Sequence, residues 1–332
     1  MKQILNRLYQ HTPLTRAEAK NIFYEIAEQR YNDIQIASFL TVFMMRPIKL
    51  PELQGFRDAL LELCIKIDLE GRETIDIVGT GGDGKDTFNI STLSSIVVAG
   101  AGYPVTKHGS YASSSASGSS DVLLHFGYQF SNQRDHLLRQ LDEANICFFH
   151  APIFHPAMKA VVPVRKQLKV KTFFNMLGPL VNPAQPTYQL FGVFDLELAR
   201  MYQYILQESQ KQFAIVYAMD GYDEISLTGP FKLRTHFSEQ LISPADVDKP
   251  RYQQSDIYGG GTIESAAKIF MNILENEATI AQKDVVVANA GTAIHCIKPE
   301  QSLVDCMAEA ETSLKSGNAL LKFKRLIEIA QS

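Results

Sequence analysis

A short apolar run, Ile75-Asp76-Ile77-Val78, gives way to Gly79-Thr80-Gly81-Gly82-Asp83-Gly84-Lys85-Asp86, and a helical pattern begins after Thr87-Phe88-Asn89-Ile90-Ser91-Thr92. This order of strand, glycine-rich loop and helix constrains the chain more than any other feature. Nine of the 20 glycines fall between Gly79 and Gly127, so the flexibility is concentrated at one place. Without a Cβ the backbone can turn its N–H groups toward a common point, and the helix start adds further N–H groups and partial positive charge. The segment therefore reads as an anion site. The competing reading is a tight strand-to-helix turn that binds nothing.

The rest of the chain fits around that loop. Residues 1 to about 70 read as helix throughout. Thr15-Arg16-Ala17-Glu18 has the spacing of a capping box. Ile22, Phe23, Ile26 and Ala27 then share a helical face, and Pro51 opens a helix carrying Leu53, Phe56, Leu60 and Leu61. Ile34 to Met45 is apolar nearly all round, which predicts a buried or interface helix. From Gly71 strands and helices alternate. Strands are expected at 75–78, 105–106, 146–149, 188–193 and 213–218, with helices after Ser91, near 120–126 and 132–145, and from Ile263 to the end. The expected fold class is α/β. A small N-terminal helical domain (1–70, joined by a helical segment near 165–185) precedes a larger α/β domain (71–332) with a mainly parallel central sheet covered by helices.

Two general motifs match the loop by letter and fail by context. Gly79-x-Gly81-x-x-Gly84 satisfies the dinucleotide fingerprint, but the helix starts late and the next strand ends in Lys107 and His108 where an acid is wanted. Gly79-x-x-x-x-Gly84-Lys85 approaches a P-loop, but Asp86 stands where Ser or Thr must ligate magnesium. A second polar junction follows the second strand: Lys107-His108-Gly109-Ser110-Tyr111-Ala112, then a serine-rich tract ending in Ser119-Ser120-Asp121. Adjacent parallel strands open their carboxyl ends onto one crevice, so two such cradles suit a ligand with two phosphate groups.

Composition narrows the partners. With 32 Lys and Arg against 36 Asp and Glu the net charge is −4, which argues against an extended basic surface for nucleic acid or an anionic membrane. The four Cys lie far apart with no C-x-x-C pair, as expected in a reducing cytoplasm. No apolar run is long enough for a signal peptide core or a membrane span.

Several blocks together resemble the anthranilate phosphoribosyltransferases of tryptophan biosynthesis. They are Gly79-Thr80-Gly81-Gly82-Asp83, Asn89-Ile90-Ser91-Thr92, Lys107-His108-Gly109, His155-Pro156-Ala157-Met158-Lys159, Pro163-Val164-Arg165, the run from Phe174 to Pro183, and Asp223-Glu224-Ile225-Ser226. The resemblance implies transfer of the phosphoribosyl group of phosphoribosyl pyrophosphate to the amine of anthranilate, with two magnesium ions per subunit. It assigns Gly79, Gly82, Asp83, Thr87, Asn89, Ile90, Ser91, Thr92, Lys107, Ser115 and Ser119 to phosphoribosyl pyrophosphate. It assigns Gly79, Ser110 and Arg165 to anthranilate, and Ser91, Asp223 and Glu224 to the metal. It gives no residue a general acid or base role; His108 and His155 read as structural. It also implies a homodimer through the N-terminal helices. The chain departs from the family pattern at Ser110 and Tyr111, where Asn and Arg are usual, and at Ala116 and Leu124, which stand near a common Lys and at a common Glu.

Two other readings remain at this point. A pyrimidine nucleoside phosphorylase shares the expected architecture and predicts phosphorolysis without magnesium. A non-catalytic nucleic-acid-binding relative predicts a basic groove and salt-sensitive binding.

Overall fold

The computed structural model describes residues 1–332 apart from 113–116 and 210. The chain divides into two compact units, one of Met1–Lys66 with Ala151–Pro183, the other of Ile67–His150 with Ala184–Ser332.

The first unit is helical. Its main helices are Lys2–Tyr9, Arg16–Ala27, Asp33–Met45 and Leu50–Leu63, and the later segment adds Val162–Leu168. Thr15 and Glu18 form the expected capping box. Phe39, Phe43, Phe56 and Phe173 are in mutual ring contact, and Phe56 stacks on Phe173 with centroids 4.6 Å apart. Phe174 in turn meets Phe23. These rings explain why a segment more than a hundred residues downstream joins the N-terminal helices: aromatic faces this large stay out of water by packing on one another. Glu52 is fully buried, pairs with Arg46 at 2.5 Å, and accepts the main-chain N–H of Leu14 and Lys49. Asp33–Met45 buries Ile36, Phe39, Leu40, Val42 and Phe43 but exposes Ile34, Met44 and Met45. Apolar composition all round has thus produced a helix that is buried on one side only.

The second unit holds one seven-stranded sheet. Its strands are β1 (Ile75–Gly79), β2 (Val105–Gly109), β3 (Ile146–His150), β4 (Tyr188–Gly192), β5 (Gln212–Ala218), β6 (Phe231–Thr235) and β7 (Glu239–Ile242). The order is β3-β2-β1-β4-β5-β6-β7. The first five strands are parallel, and β6 and β7 add an antiparallel hairpin that sequence periodicity did not predict. The helix Ile90–Gly100 is almost wholly buried, from Ile90 to Ala99, and contributes Leu93, Ile96, Val97 and Val98 to the core. Four helices follow Ile263: Ile263–Leu274, Ile280–Ile297, Leu303–Lys315 and Asn318–Ala330. Among the described residues no helix is long and apolar enough to cross a membrane.

The order 3-2-1-4-5 reverses direction between β1 and β4. In open parallel sheets such a reversal leaves a crevice at the carboxyl ends of the two strands. Here those ends are Gly79 and Gly192, directly paired across the sheet.

Candidate functional site

Three loops meet at the Gly79–Gly192 end of the sheet. The first follows β1. Its Thr80 N–H donates to the Gly192 carbonyl at 3.0 Å, and the chain then turns through Gly81, Gly82 and Gly84, all at positive φ. The second is the turn after β5, which lays Asp223 across both glycines. A Cβ at Gly79 would collide with the Asp223 carboxylate, and one at Gly192 with the Asp223 carbonyl. Both strands therefore end in the one residue that lets the acidic turn lie this close. The third loop, after β2, runs from Ser110 toward Ser119.

The acidic groups are held by main-chain donors. Asp223 Oδ2 accepts the Gly81 N–H at 2.6 Å. Glu224 accepts the Ser91 N–H with Oε1 and the Thr87 hydroxyl with Oε2, each at 3.2 Å. Its carboxylate thus sits at the N-terminus of the buried helix Ile90–Gly100, where an anion is favoured. Asp83 completes the group: its Oδ1 accepts the Lys85 N–H at 3.1 Å, while its buried Oδ2 accepts no hydrogen bond. Burial pushes the Asp223 carboxyl up to about 7, and the neighbouring Asp83 charge adds to this. Burial raises Glu224 well above the carboxylate range, with Asp223 and Asp83 contributing. Three carboxylates crowded in a dry crevice call for a cation. Oxygen donors without sulfur or imidazole suit a hard divalent ion such as magnesium.

Asn89 donates from Nδ2 to the Ser117 carbonyl at 3.1 Å, which ties the first cradle to the second, and its buried Oδ1 is unpartnered. Ile90 and Thr92 are both buried. Lys107 is 2% exposed and donates to the Ile77 carbonyl at 2.6 Å. Burial lowers its pKa, opposed by the charges of Asp76 and Glu224. Ser119 donates to the Ser110 carbonyl at 3.3 Å, and the Ser120 N–H donates to the same carbonyl at 3.2 Å. Ser110 itself is exposed. Asp121 Oδ2 accepts the N–H groups of Ala112 and Gly118, bracing both ends of the serine loop. Ser115 and Ala116 lie outside the described residues.

Arg165 belongs to the helical unit, on Val162–Leu168. Its Nη2 donates to Asn175 Oδ1 at 3.2 Å and its guanidinium lies 5.4 Å from the centre of the Phe174 ring. Its buried Nε has no acceptor, and burial lowers its pKa. Among the described residues it forms no ion pair with a carboxylate. His155, in the same unit, is buried, and burial holds its pKa down at about 4.

Two features of the crevice were not foreseen. Gly192 is one. The other is the run Tyr258-Gly259-Gly260-Gly261, which braces the phosphate-type loop from outside. Thr87 and Tyr258 form an isolated antiparallel bridge, and the Gly259 N–H donates to the Asp86 carbonyl at 2.8 Å. A small hollow between them is lined by Asp86, Thr87, Asn89, Ser117, Gly259, Gly261 and Ala266. Three consecutive glycines were the available signal; what they approach was not.

A crevice at a sheet reversal, lined by glycine N–H groups and backed by carboxylates, belongs to the class of α/β proteins built to take an anionic ligand together with a hard cation. Comparison with known proteins agrees. Residues 71–320 match the glycosyl transferase family a/b domain, and residues 2–64 match that family's helical bundle domain. The relatives narrow the class. The chain is 55% identical to the anthranilate phosphoribosyltransferase of Cytophaga hutchinsonii, with 99% of this chain and 100% of that protein covered. It is 54% identical to that of Bacteroides thetaiotaomicron, with 99% of each covered. Among solved structures, the Thermus thermophilus enzyme superposes with a TM-score of 0.91 at 29% identity over 99% of both chains. The Saccharomyces cerevisiae enzyme in complex with PRPP and Mg gives 0.91 at 26% identity, covering 98% of this chain and 96% of its own. The chain belongs to the anthranilate phosphoribosyltransferase family.

Proposed function

We propose that the protein transfers the 5-phosphoribosyl group of phosphoribosyl pyrophosphate to the amine of anthranilate, releasing pyrophosphate, as a step of tryptophan biosynthesis in the cytoplasm. The observation that carries the reading is the trio of neighbouring carboxylates Asp83, Asp223 and Glu224, with Glu224 at the N-terminus of Ile90–Gly100 and no ion pair to any of the three among the described residues.

The chemistry asks for little more than positioning and charge. The bond from C1 of the ribose to the pyrophosphate oxygen breaks as the aromatic nitrogen adds to C1. Pyrophosphate leaves with the electron pair, and the nitrogen loses a proton. The amine is neutral at pH 7, so no strong general base is required, and rate comes from alignment and electrostatic stabilisation of the leaving group. Magnesium, when bound, neutralises charge developing on the pyrophosphate. Asp223, Glu224 and Ser91 would hold two such ions, with ligand oxygens and water completing each shell; no three His, Cys, Asp or Glu side chains among the described residues form a ready-made cage. The N–H groups of the Gly79–Asp83 loop and of the Asn89–Thr92 turn, with Thr87, Lys107, Ser115 and Ser119, would take the phosphate oxygens.

Anthranilate would be held by Gly79, Ser110 and Arg165. A guanidinium with a buried, unpartnered Nε and no carboxylate partner suits a carboxylate ligand. Two copies would associate through the N-terminal helices, covering Ile34, Met44 and Met45, which are 78%, 47% and 82% exposed. The phosphorylase reading gives no use to the acidic trio.

The test is to mix the purified protein with magnesium, anthranilate and phosphoribosyl pyrophosphate. Loss of anthranilate fluorescence with stoichiometric pyrophosphate release is expected. Persistent fluorescence without pyrophosphate would overturn the assignment, and magnesium-independent phosphorolysis of thymidine or uridine would replace it with the phosphorylase.

A further inference from the structure

The turn that carries Asp223 and Glu224 is tied to β5 just before the pair, where the Tyr222 carbonyl accepts the Ala218 N–H at 3.3 Å. Immediately after the pair, Ile225 is fully buried and gripped by a single side chain, Asn289, from the middle of the helix Ile280–Ile297. Asn289 Oδ1 accepts the Ile225 N–H at 3.0 Å, and its Nδ2 donates to the Ile225 carbonyl at 2.8 Å. Nδ2 also donates to the Val285 carbonyl at 2.9 Å, one helical turn back. The amide orientation follows from its partners, because only an oxygen can meet the Ile225 N–H and only the NH₂ can meet the two carbonyls. The side chain thus satisfies both main-chain groups of one residue, as a neighbouring strand would. Asn is a poor helix former and is 3% exposed here, so it occupies a position where Ala or Leu would favour the helix.

We infer that Asn289 is a positioning residue for the Asp223-Glu224 pair, setting where the two carboxylates stand against Gly81 and Ser91. This rests on the reading of those carboxylates as magnesium ligands. It adds that their placement is set from a helix 64 residues away rather than by the turn itself. A purely structural Asn289 would affect stability and leave metal-dependent binding alone.

The full chain, in wild-type, Asn289→Ala and Thr292→Val forms, is titrated with pyrophosphate over a series of magnesium concentrations by calorimetry, alongside thermal melts. Thr292 is a control on the same helix: it is fully buried and its hydroxyl donates to the Ala288 carbonyl at 2.8 Å. In folded Asn289→Ala the magnesium concentration for half-maximal pyrophosphate binding should rise by about 10- to 100-fold, as for other residues that orient metal ligands. Thr292→Val should stay within about twofold of wild type, since it loses a buried hydrogen bond with no link to the pair. A wild-type value in Asn289→Ala, or an equal shift in Thr292→Val, overturns the assignment. Should Asn289→Ala not fold, Asn289→Ser replaces it under the same two criteria, because its hydroxyl can keep the Val285 bond and cannot reach Ile225. Wild-type protein that binds pyrophosphate without regard to magnesium would overturn the metal reading itself, a result separate from the other two.

Discussion

Glu224 and Ser91 are 133 residues apart in sequence, yet the Glu224 carboxylate accepts the Ser91 N–H at 3.2 Å and caps the first turn of a buried helix. The carboxylate therefore occupies a place where a phosphate oxygen would also be welcome. The arrangement is satisfied in hydrogen bonds and unsatisfied in charge, since Asp83 and Asp223 are its neighbours.

Glu224→Gln separates those two properties. The amide keeps an oxygen for the Ser91 N–H and removes a carboxyl group whose ionisation burial and the neighbouring Asp223 and Asp83 oppose. The ligand-free variant should melt at or above the wild-type temperature, by about 2 °C for each ~1 kcal/mol of relieved repulsion. Activity with magnesium and phosphoribosyl pyrophosphate should fall by about 100-fold or more, on the scale of a lost electrostatic contact to the leaving group. Thermal melts and initial rates at saturating magnesium check both. A drop in melting temperature would mean that Glu224 is chiefly a helix cap.

Gly259→Ala tests the outer brace. A Cβ there would lie 2.7 Å from the Thr87 carbonyl oxygen and 2.9 Å from the Phe88 nitrogen, closer than main-chain atoms tolerate. The segment carrying Thr87 must shift, and with it the hydroxyl that holds Glu224. The KM for phosphoribosyl pyrophosphate should rise by about tenfold while that for anthranilate stays within twofold, because small displacements of a binding loop are costly. Equal changes in both constants would argue for a general loss of structure.

Much of this crevice was legible in the sequence, and the limits have physical causes. Strands β1, β3, β4 and β5 are short, mainly apolar runs bounded by turn residues, β2 shows only Val105-Thr106 before its polar end, and the glycines of residues 79–84 announce a backbone that approaches something. Phe231-Lys232-Leu233-Arg234-Thr235 and Glu239–Ile242 form an antiparallel hairpin with mixed polarity, and so few residues give a weak alternating signal. Residues 151–183 join the helical unit because Phe173 and Phe174 meet Phe23, Phe39, Phe43 and Phe56, a contact no local pattern encodes. Gly192 and Asn289 are single residues in apolar surroundings. Their importance lies in what another loop does nearby, and only the fold supplies that.

His155 offers a pH test free of the acidic cluster. Burial lowers its pKa from 6.5 to about 4, so between those values the unfolded chain binds a proton that the folded chain does not. Stability from His155 is therefore complete above pH 6.5 and is lost as the pH falls toward 4. Asp223, raised from 3.8 to about 7, works in the opposite sense, because its folded form holds the extra proton. The difference between wild type and His155→Gln cancels that contribution. In urea melts with a chelator present, the stability difference, wild type minus variant, should shrink from pH 7 to pH 4.5 by at most about 1.4 kcal/mol per pH unit. A constant difference would show that the ring stays exposed to protons in the folded state.

Ser110 tests the acceptor side of the proposed reaction. Its carbonyl is pinned by Ser119 and Ser120 while the residue itself is exposed, so a longer side chain can be accepted without moving the loop. Asn at this position would restore the amide usual in the family and offer both a donor and an acceptor where the serine has one hydroxyl. One added neutral hydrogen bond is worth about 0.5–1.5 kcal/mol, so Ser110→Asn should lower the KM for anthranilate by roughly two- to tenfold. The KM for phosphoribosyl pyrophosphate should not change, because the acidic trio and the Gly79–Asp83 loop are untouched. Steady-state kinetics with each substrate varied in turn separates the two. A fall in the phosphoribosyl pyrophosphate constant alone would move Ser110 from the acceptor pocket to the phosphate cradle.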